Sequence, residues 1–143
     1  MGNLYRFGVS LERDLIDAFD QYIQERNYGN RSEAIRDLIR NELIRKTHDE
    51  GGLVAGAIVM TYDHNKNNLL QKMLLIQHDY HDSIISTQHV HLDHDYCLEI
   101  IAVRGRAEEV DLLASRLKSL VGVKHLDVSI SAPGSDADHD LLK

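Results

Sequence analysis

"TQHVHLDHDYCLEI", residues 87–100, gathers three histidines, two aspartates, a glutamate and the only cysteine of the chain into fourteen positions. Residues two apart in a strand share a face, so His89 and His91 project together while Val90 and Leu92 point to the other side. The following "YCLEIIAV" must return antiparallel through "LDHDY", and a hairpin centred on His94 sets His91 opposite Cys97 and His89 opposite Glu99. Opposed residues lie on one face, so two imidazoles, a thiol and a carboxylate converge. A turn displaced by half a residue would undo that convergence.

Outward from the hairpin, the hydrophobic periodicity predicts strands at about 53–62, 83–91, 96–104 and 123–130. Helices are expected at about 65–77, from "NKNNLLQKMLLIQ", and over "AEEVDLLASRLKSL". The order βαββαβ predicts a ferredoxin-like sandwich with two helices on one face of an antiparallel sheet. Upstream, "THDEGG" at 47–52 breaks the pattern with charge and glycine and reads as a hinge. The fold class is α+β, with an N-terminal domain at 1–48, a βαββαβ domain at 49–133 and an acidic, disordered tail at 134–143.

The N-terminal segment switches from period two to period 3.6 after about residue 10. Leu4, Arg6, Gly8 and Ser10 share one side of a short strand, and Tyr5, Phe7 and Val9 the other. Leu11, Leu15, Phe19, Tyr22 and Ile23 then form one stripe of a helix. "NYGN" ends that helix, with Gly29 expected to supply the left-handed residue. Asn30 and Glu33 resemble a capping box that opens a second helix carrying Ile35, Leu38, Ile39 and Leu43. A strand and two short amphipathic helices expose too much apolar surface to stand alone, and a second copy is the simplest cover.

Composition limits the alternatives. With 143 residues, 43% hydrophobic and 27% charged, the chain can bury a core. Its longest apolar runs fall far short of the ~20 residues that span a bilayer, and "MGNLYRFGVS" lacks a signal-peptide pattern, which predicts a cytoplasmic protein with no membrane partner. A net charge of −7, with eight Lys/Arg against ten Asp/Glu in residues 1–50, excludes a generally basic nucleic-acid binder. DNA binding must therefore come from a local face.

One cysteine makes no internal disulfide, so Cys97 is buried filler, a reactive thiol or a metal ligand. Each histidine alone would be a half-exposed strand residue. Burying His89, His91, Cys97 and Glu99 together without a metal, however, would leave several polar groups to satisfy. His89, His91 and Cys97 make an incomplete first-row metal site, for which His78, at the end of "IQH", is the candidate fourth ligand. Glu99 would orient an imidazole by accepting its free N–H. His64, His81 and His94 are secondary candidates. Tetrahedral zinc and planar nickel or copper all remain open on these residues alone.

"RFGVSLERDLIDAFDQYI" with "YGNRSEAIRDLIR" resembles a ribbon-helix-helix DNA-binding domain. "IQH" with "HVHLDHDYCLEI" is similar to the regulatory half of nickel-responsive transcriptional repressors, and the resemblance runs from about Arg6 to about Ile130. It implies that the N-terminal strands of two chains pair as a ribbon in the major groove of a double-stranded operator. Arg6, Gly8 and Ser10 then face bases, although Gly8 stands where the family carries a hydroxyl residue. It further implies that Asn30, Arg31 and Ser32 present backbone N–H groups to a phosphate. The regulatory half is an ACT-like domain that assembles a homotetramer, a dimer of dimers. One Ni2+ per subunit would be held in a plane by His89, His91 and Cys97 of one chain and His78 of another. Glu33 and Asp37 match acids that help form a hard-cation site assigned to K+; by themselves they read as a capping acid and a surface charge. The resemblance implies a repressor of nickel uptake genes and no enzyme. A zinc hydrolase using the hairpin with Glu99 as general base, and an ACT-type small-molecule sensor, are the competing readings.

Overall fold

The computed structural model describes residues 2–132; the tail expected at 134–143 lies outside them. The chain divides into two compact units between Ile39 and Arg40.

In the first unit, α1 (Arg13–Glu25) is followed by the opening turns of α2 (Arg31–Asp49). Asn27, at φ 59°, is the left-handed residue that ends α1, not Gly29. Asn27 N–H donates to the Gln24 carbonyl and Tyr28 N–H to that of Ile23, the paired bonds of a Schellman motif. Asparagine tolerates this conformation better than other side chains with a Cβ. At Gly29 a Cβ would stand 2.9 Å from the tip of the Glu33 side chain, whose carboxylate accepts the Gly29 N–H at 3.0 Å, so a larger residue would have to displace that carboxylate. Asn30 Oδ1 accepts the Glu33 N–H at 2.9 Å. The cap expected at Asn30 is thus present, with its reciprocal bond moved back by one residue.

The strand expected near residues 4–10 is not formed, and residues 2–12 carry no regular structure. A strand exists only through hydrogen bonds to a neighbouring edge, and alternation of side chains cannot supply that edge. Tyr5, Phe7 and Val9 stay exposed. Val9, Leu11, Leu15, Phe19, Tyr22 and Leu38 are among the residues lining an open apolar groove of about 560 Å³ in this unit.

The second unit holds β1 (Leu53–Asp63), α3 (Leu69–Asp79), β2 (Ile84–His91), β3 (Tyr96–Arg106), α4 (Ala107–Lys118) and β4 (Val123–Ser131). The sheet is wholly antiparallel in the order β2-β3-β1-β4. The ferredoxin-like expectation therefore holds element by element, apart from the start of α3. That helix begins at Leu69 rather than near 65, because Asn68 stands at φ 62°, a left-handed conformation that a right-handed helix cannot run through.

Alternation gives the sheet one covered face. Val54, Ile58, Met60 and Tyr62 of β1 and Cys97, Ile101 and Val103 of β3 are buried together with Leu69 and Met73 of α3 and Val110, Leu113 and Leu117 of α4. Each large aliphatic side chain of this set contributes about 1.5–3 kcal/mol by leaving water. The edge strand β2 is exposed along most of its length. No helix among the described residues is long and apolar enough to cross a membrane.

Two predictions follow from this packing. A Cβ at Gly56 of β1 would lie 2.1 Å from the Ser129 carbonyl oxygen of β4, so only glycine allows the two backbones to pair there. Gly56→Ala should cost about 3 kcal/mol in urea unfolding; an unchanged midpoint would refute the close approach. Near the end of α2, His48 Nε2 lies 3.0 Å from Asp111 of α4 and its Nδ1 3.4 Å from Asp49. The Asp111 hydrogen bond, opposed by burial and helped by Asp49, raises the His48 pKa above its ordinary 6.5. Its contribution to stability is thus complete below that value and lost as pH rises through the raised one. The melting-temperature deficit of His48→Gln should accordingly be larger at about pH 5.5 than at about pH 8.5.

Candidate metal centre

The hairpin between β2 and β3 has the expected register: His91 pairs with Cys97, His89 with Glu99 and Val90 with Leu98. Asp93 fixes the turn, its carboxylate accepting the N–H groups of Asp95 and Tyr96 at 2.9 Å each. The loop after β1 is tied to this turn, since His64 N–H donates to the Asp95 carbonyl at 3.1 Å and Asn65 Nδ2 to the Asp95 carboxylate at 2.9 Å.

Ligand atoms of His89, His91 and Cys97 all lie within 4.8 Å of one another, the one such group of three among the described residues. Cys97 Sγ is 3.4 Å from His91 Nδ1, and the His89 and His91 rings meet nearly edge to face at 5.2 Å. The thiol is fully buried, whereas both imidazoles are exposed. This asymmetry follows from the sheet order. Cys97 stands on β3, under the helices, while His89 and His91 stand on the uncovered edge strand.

The electrostatics fit a cation. Burial pushes the Cys97 thiol pKa up; the Tyr62 hydroxyl opposes that shift, and the charges of Asp93 and Glu99 reinforce it. The resting group is therefore a thiol, and an ion binding through sulfur must displace its proton. Glu99 is buried, and burial raises its pKa against the opposing effects of Gln77 and His89. Its Oε1 accepts from Gln77 Nε2 at 3.3 Å, but Oε2 is buried with no partner. Natural interiors seldom leave such an acceptor unpaired, and this one belongs to the residue that faces His89 across the ladder. Three borderline donors with this acceptor suit a first-row divalent ion better than a hard cation, which prefers all-oxygen sites.

His78 is exposed at the end of α3, its ring stacked on that of His81 at 5.7 Å, and is not among the donors that converge with Cys97. Three side chains gain roles that spacing alone did not assign. Tyr62, buried opposite Cys97 on β1, is hydrogen-bonded to His89 Nδ1 at 2.8 Å. Gln77 holds Glu99. His64 Nδ1, a secondary candidate in sequence, stands 3.6 Å from Cys97 Sγ. Only the pairing of β1 with β3 could have revealed Tyr62.

In the first unit, Arg6, Gly8 and Ser10 are exposed, as are Asn30, Arg31 and Ser32. Arg31 makes a two-pronged ion pair with Asp20 of α1, both bonds at 2.8 Å, which holds the Asp20 carboxyl below its usual range. Asp37 accepts a short hydrogen bond from the Tyr28 hydroxyl, and Glu33 accepts the Gly29 N–H.

Comparison with known proteins accords with both units. Residues 5–46 match the family model described as ribbon-helix-helix protein, copG family, and residues 55–131 that of the NikR C terminal nickel binding domain. A protein of Chlorobaculum parvum named "Putative nickel-responsive regulator" is 66% identical over 132 residues, covering 92% of this chain and 98% of its own. Proteins of the same name from Syntrophus aciditrophicus and Nitratidesulfovibrio vulgaris are 54% and 49% identical, covering 96% and 95% of this chain and 100% and 99% of theirs. Among solved structures, an uncharacterized Thermotoga maritima protein shares the fold alone, at 8% identity and a TM-score of 0.50 over 55% of this chain and 96% of its own.

Glu99→Gln keeps the shape of the buried side chain and removes its charge. Affinity for a divalent first-row ion, measured by chelator competition, should fall about 10–100-fold, with no loss of thermal stability. Unchanged affinity would mean that the unpaired oxygen has no part in the site.

Proposed function

Because the chain belongs to the family of nickel-responsive regulators, we propose that it is a nickel-dependent, sequence-specific DNA-binding repressor, acting on nickel uptake genes. The convergence of His89, His91 and Cys97 beside the unpaired Glu99 oxygen carries this reading. His89, His91 and Cys97 would hold Ni2+, one per subunit, which would supply a Lewis-acid centre with room for a fourth donor. On this reading the fourth is His78 of another subunit, so occupancy ties chains together in a homotetramer.

The residues of the first unit supply the other half of the device. The exposed apolar groove around Phe19 and Leu38 and the unpaired segment before α1 are what a second copy would cover and pair. Pairing sets Tyr5, Phe7 and Val9 inward and leaves Arg6, Gly8 and Ser10 toward a major groove, where Arg6 can grip guanine with two bonds. Gly8 offers no side chain, so base reading falls to Arg6 and Ser10. Asn30 already caps α2 through its side chain, leaving the Arg31 and Ser32 N–H groups for a phosphate. Arg31 must exchange Asp20 for a phosphate if its guanidinium is to join them. Glu33 and Asp37 are offered as ligands of K+ in the DNA-bound form. Nickel and DNA each raise the affinity for the other by linkage.

The test uses the full-length protein and a double-stranded operator enriched from a random pool. Ni2+ should tighten operator binding by roughly 10-fold or more, and Cys97→Ala should abolish the metal dependence while leaving metal-free binding intact. Unchanged nickel dependence in Cys97→Ala would overturn the site, and an absence of sequence preference would overturn the repressor.

A further inference from the structure

His78 stands in the last turn of α3. The final carbonyls of a helix lack intrahelical partners, and helix ends open more readily than helix interiors. Leu69, Met73 and Ile76 turn toward the core, whereas His78 lies on an outer stripe with Leu70 and Leu74, all three exposed. The hairpin donors have no such freedom, because ladder pairing fixes their strands.

One residue of α4 clasps the chain directly after His78. Arg116, in the last turn of α4, donates from Nη1 to the Asp79 carboxylate at 3.2 Å. The same guanidinium stands over the Tyr80 ring, 5.5 Å from its centroid, and Tyr80 packs against the core. A flat guanidinium can stack on a ring and donate in its own plane at once, which an ammonium cannot do. A cation at this position also meets the partial negative charge at the C-terminal end of α3. The following turn is tied to α4 as well, since the Ser83 hydroxyl donates to Glu109 at 3.2 Å. The Arg116–Asp79 pair is half-exposed and contributes little alone, so the hold comes from pairing and stacking together.

We propose that Arg116 is a positioning residue for the metal centre, holding the end of α3 so that His78 is offered to another subunit in a fixed direction. The inference rests on the reading of His78 as the inter-subunit donor. A donor that must be ordered when the ion arrives weakens binding by the cost of that ordering. Arg116 removes part of this cost beforehand. Its side-chain contacts are with Asp79 and Tyr80, so its effect reaches the ion through His78 and not through the hairpin.

The experiment is a double-mutant cycle on the full-length protein, with Ni2+ affinity measured by chelator competition. Arg116→Ala should weaken Ni2+ about 5-fold, and Arg116→Lys, which keeps the charge but not the stacked plane, by less. In a His78→Ala background the same Arg116 substitutions should change nothing. Hydrogen exchange of the metal-free protein should quicken in residues 76–80 of Arg116→Ala and stay as it was in β1 and β3, which shows that the sheet is intact. Wild-type Ni2+ affinity in Arg116→Ala, or an equal loss with and without His78, would overturn the role of Arg116 alone. Nickel affinity indifferent to His78→Ala would instead overturn the inter-subunit donor, and the role of Arg116 with it.

Discussion

The antiparallel register of β2 on β3 is the constraint on which the candidate centre depends. With His91 opposite Cys97 and His89 opposite Glu99, four polar side chains share one face of a two-stranded ladder. A slip of one residue would send both imidazoles to the opposite face and leave the thiol among apolar neighbours. The turn is correspondingly over-determined: Asp93 ties down two N–H groups, and Asp95 receives two bonds from the loop after β1. This bonding ties the hairpin to β1 as well as to its own partner strand.

The same sheet order divides the labour between burial and access. β3 is an inner strand beneath α3 and α4, so Cys97 and Glu99 pay a desolvation cost and both titrate above their ordinary values. β2 is an edge, so His89 and His91 remain open to an incoming ion or a further ligand. Edge strands usually need protection from unwanted pairing. Here the exposed edge carries the donors, and bulky polar side chains on it serve both ends.

Much of this arrangement was legible in the sequence. Period-two alternation placed β1 to β4 within a few residues, and the hairpin parity followed from counting through "LDHDY". Other features were not legible. Gly29 looked like the residue that ends α1, yet Asn27 takes the left-handed conformation, because two residues with local freedom stood within one turn and only the closing hydrogen bonds choose between them. The late start of α3 was not legible either, because it depends on the left-handed conformation that Asn68 takes just before Leu69. Residues 4–10 alternate as a strand does, but no strand forms there without an edge to pair with.

The sequence by itself determined the donor chemistry, the faces on which donors lie and the order of elements, because all three are properties of local periodicity and residue type. It also carried the motifs that the family shares. Only the tertiary structure decided which strands are neighbours, and with that the burial of Cys97, the unpaired oxygen of Glu99 and the placement of Tyr62 and His64 against the donors. The reason is physical. Side-chain direction within a strand is set by bonds to adjacent residues, whereas contact between β1 and β3 joins residues more than thirty positions apart. Burial of the common apolar face selects that pairing, and no local pattern encodes it.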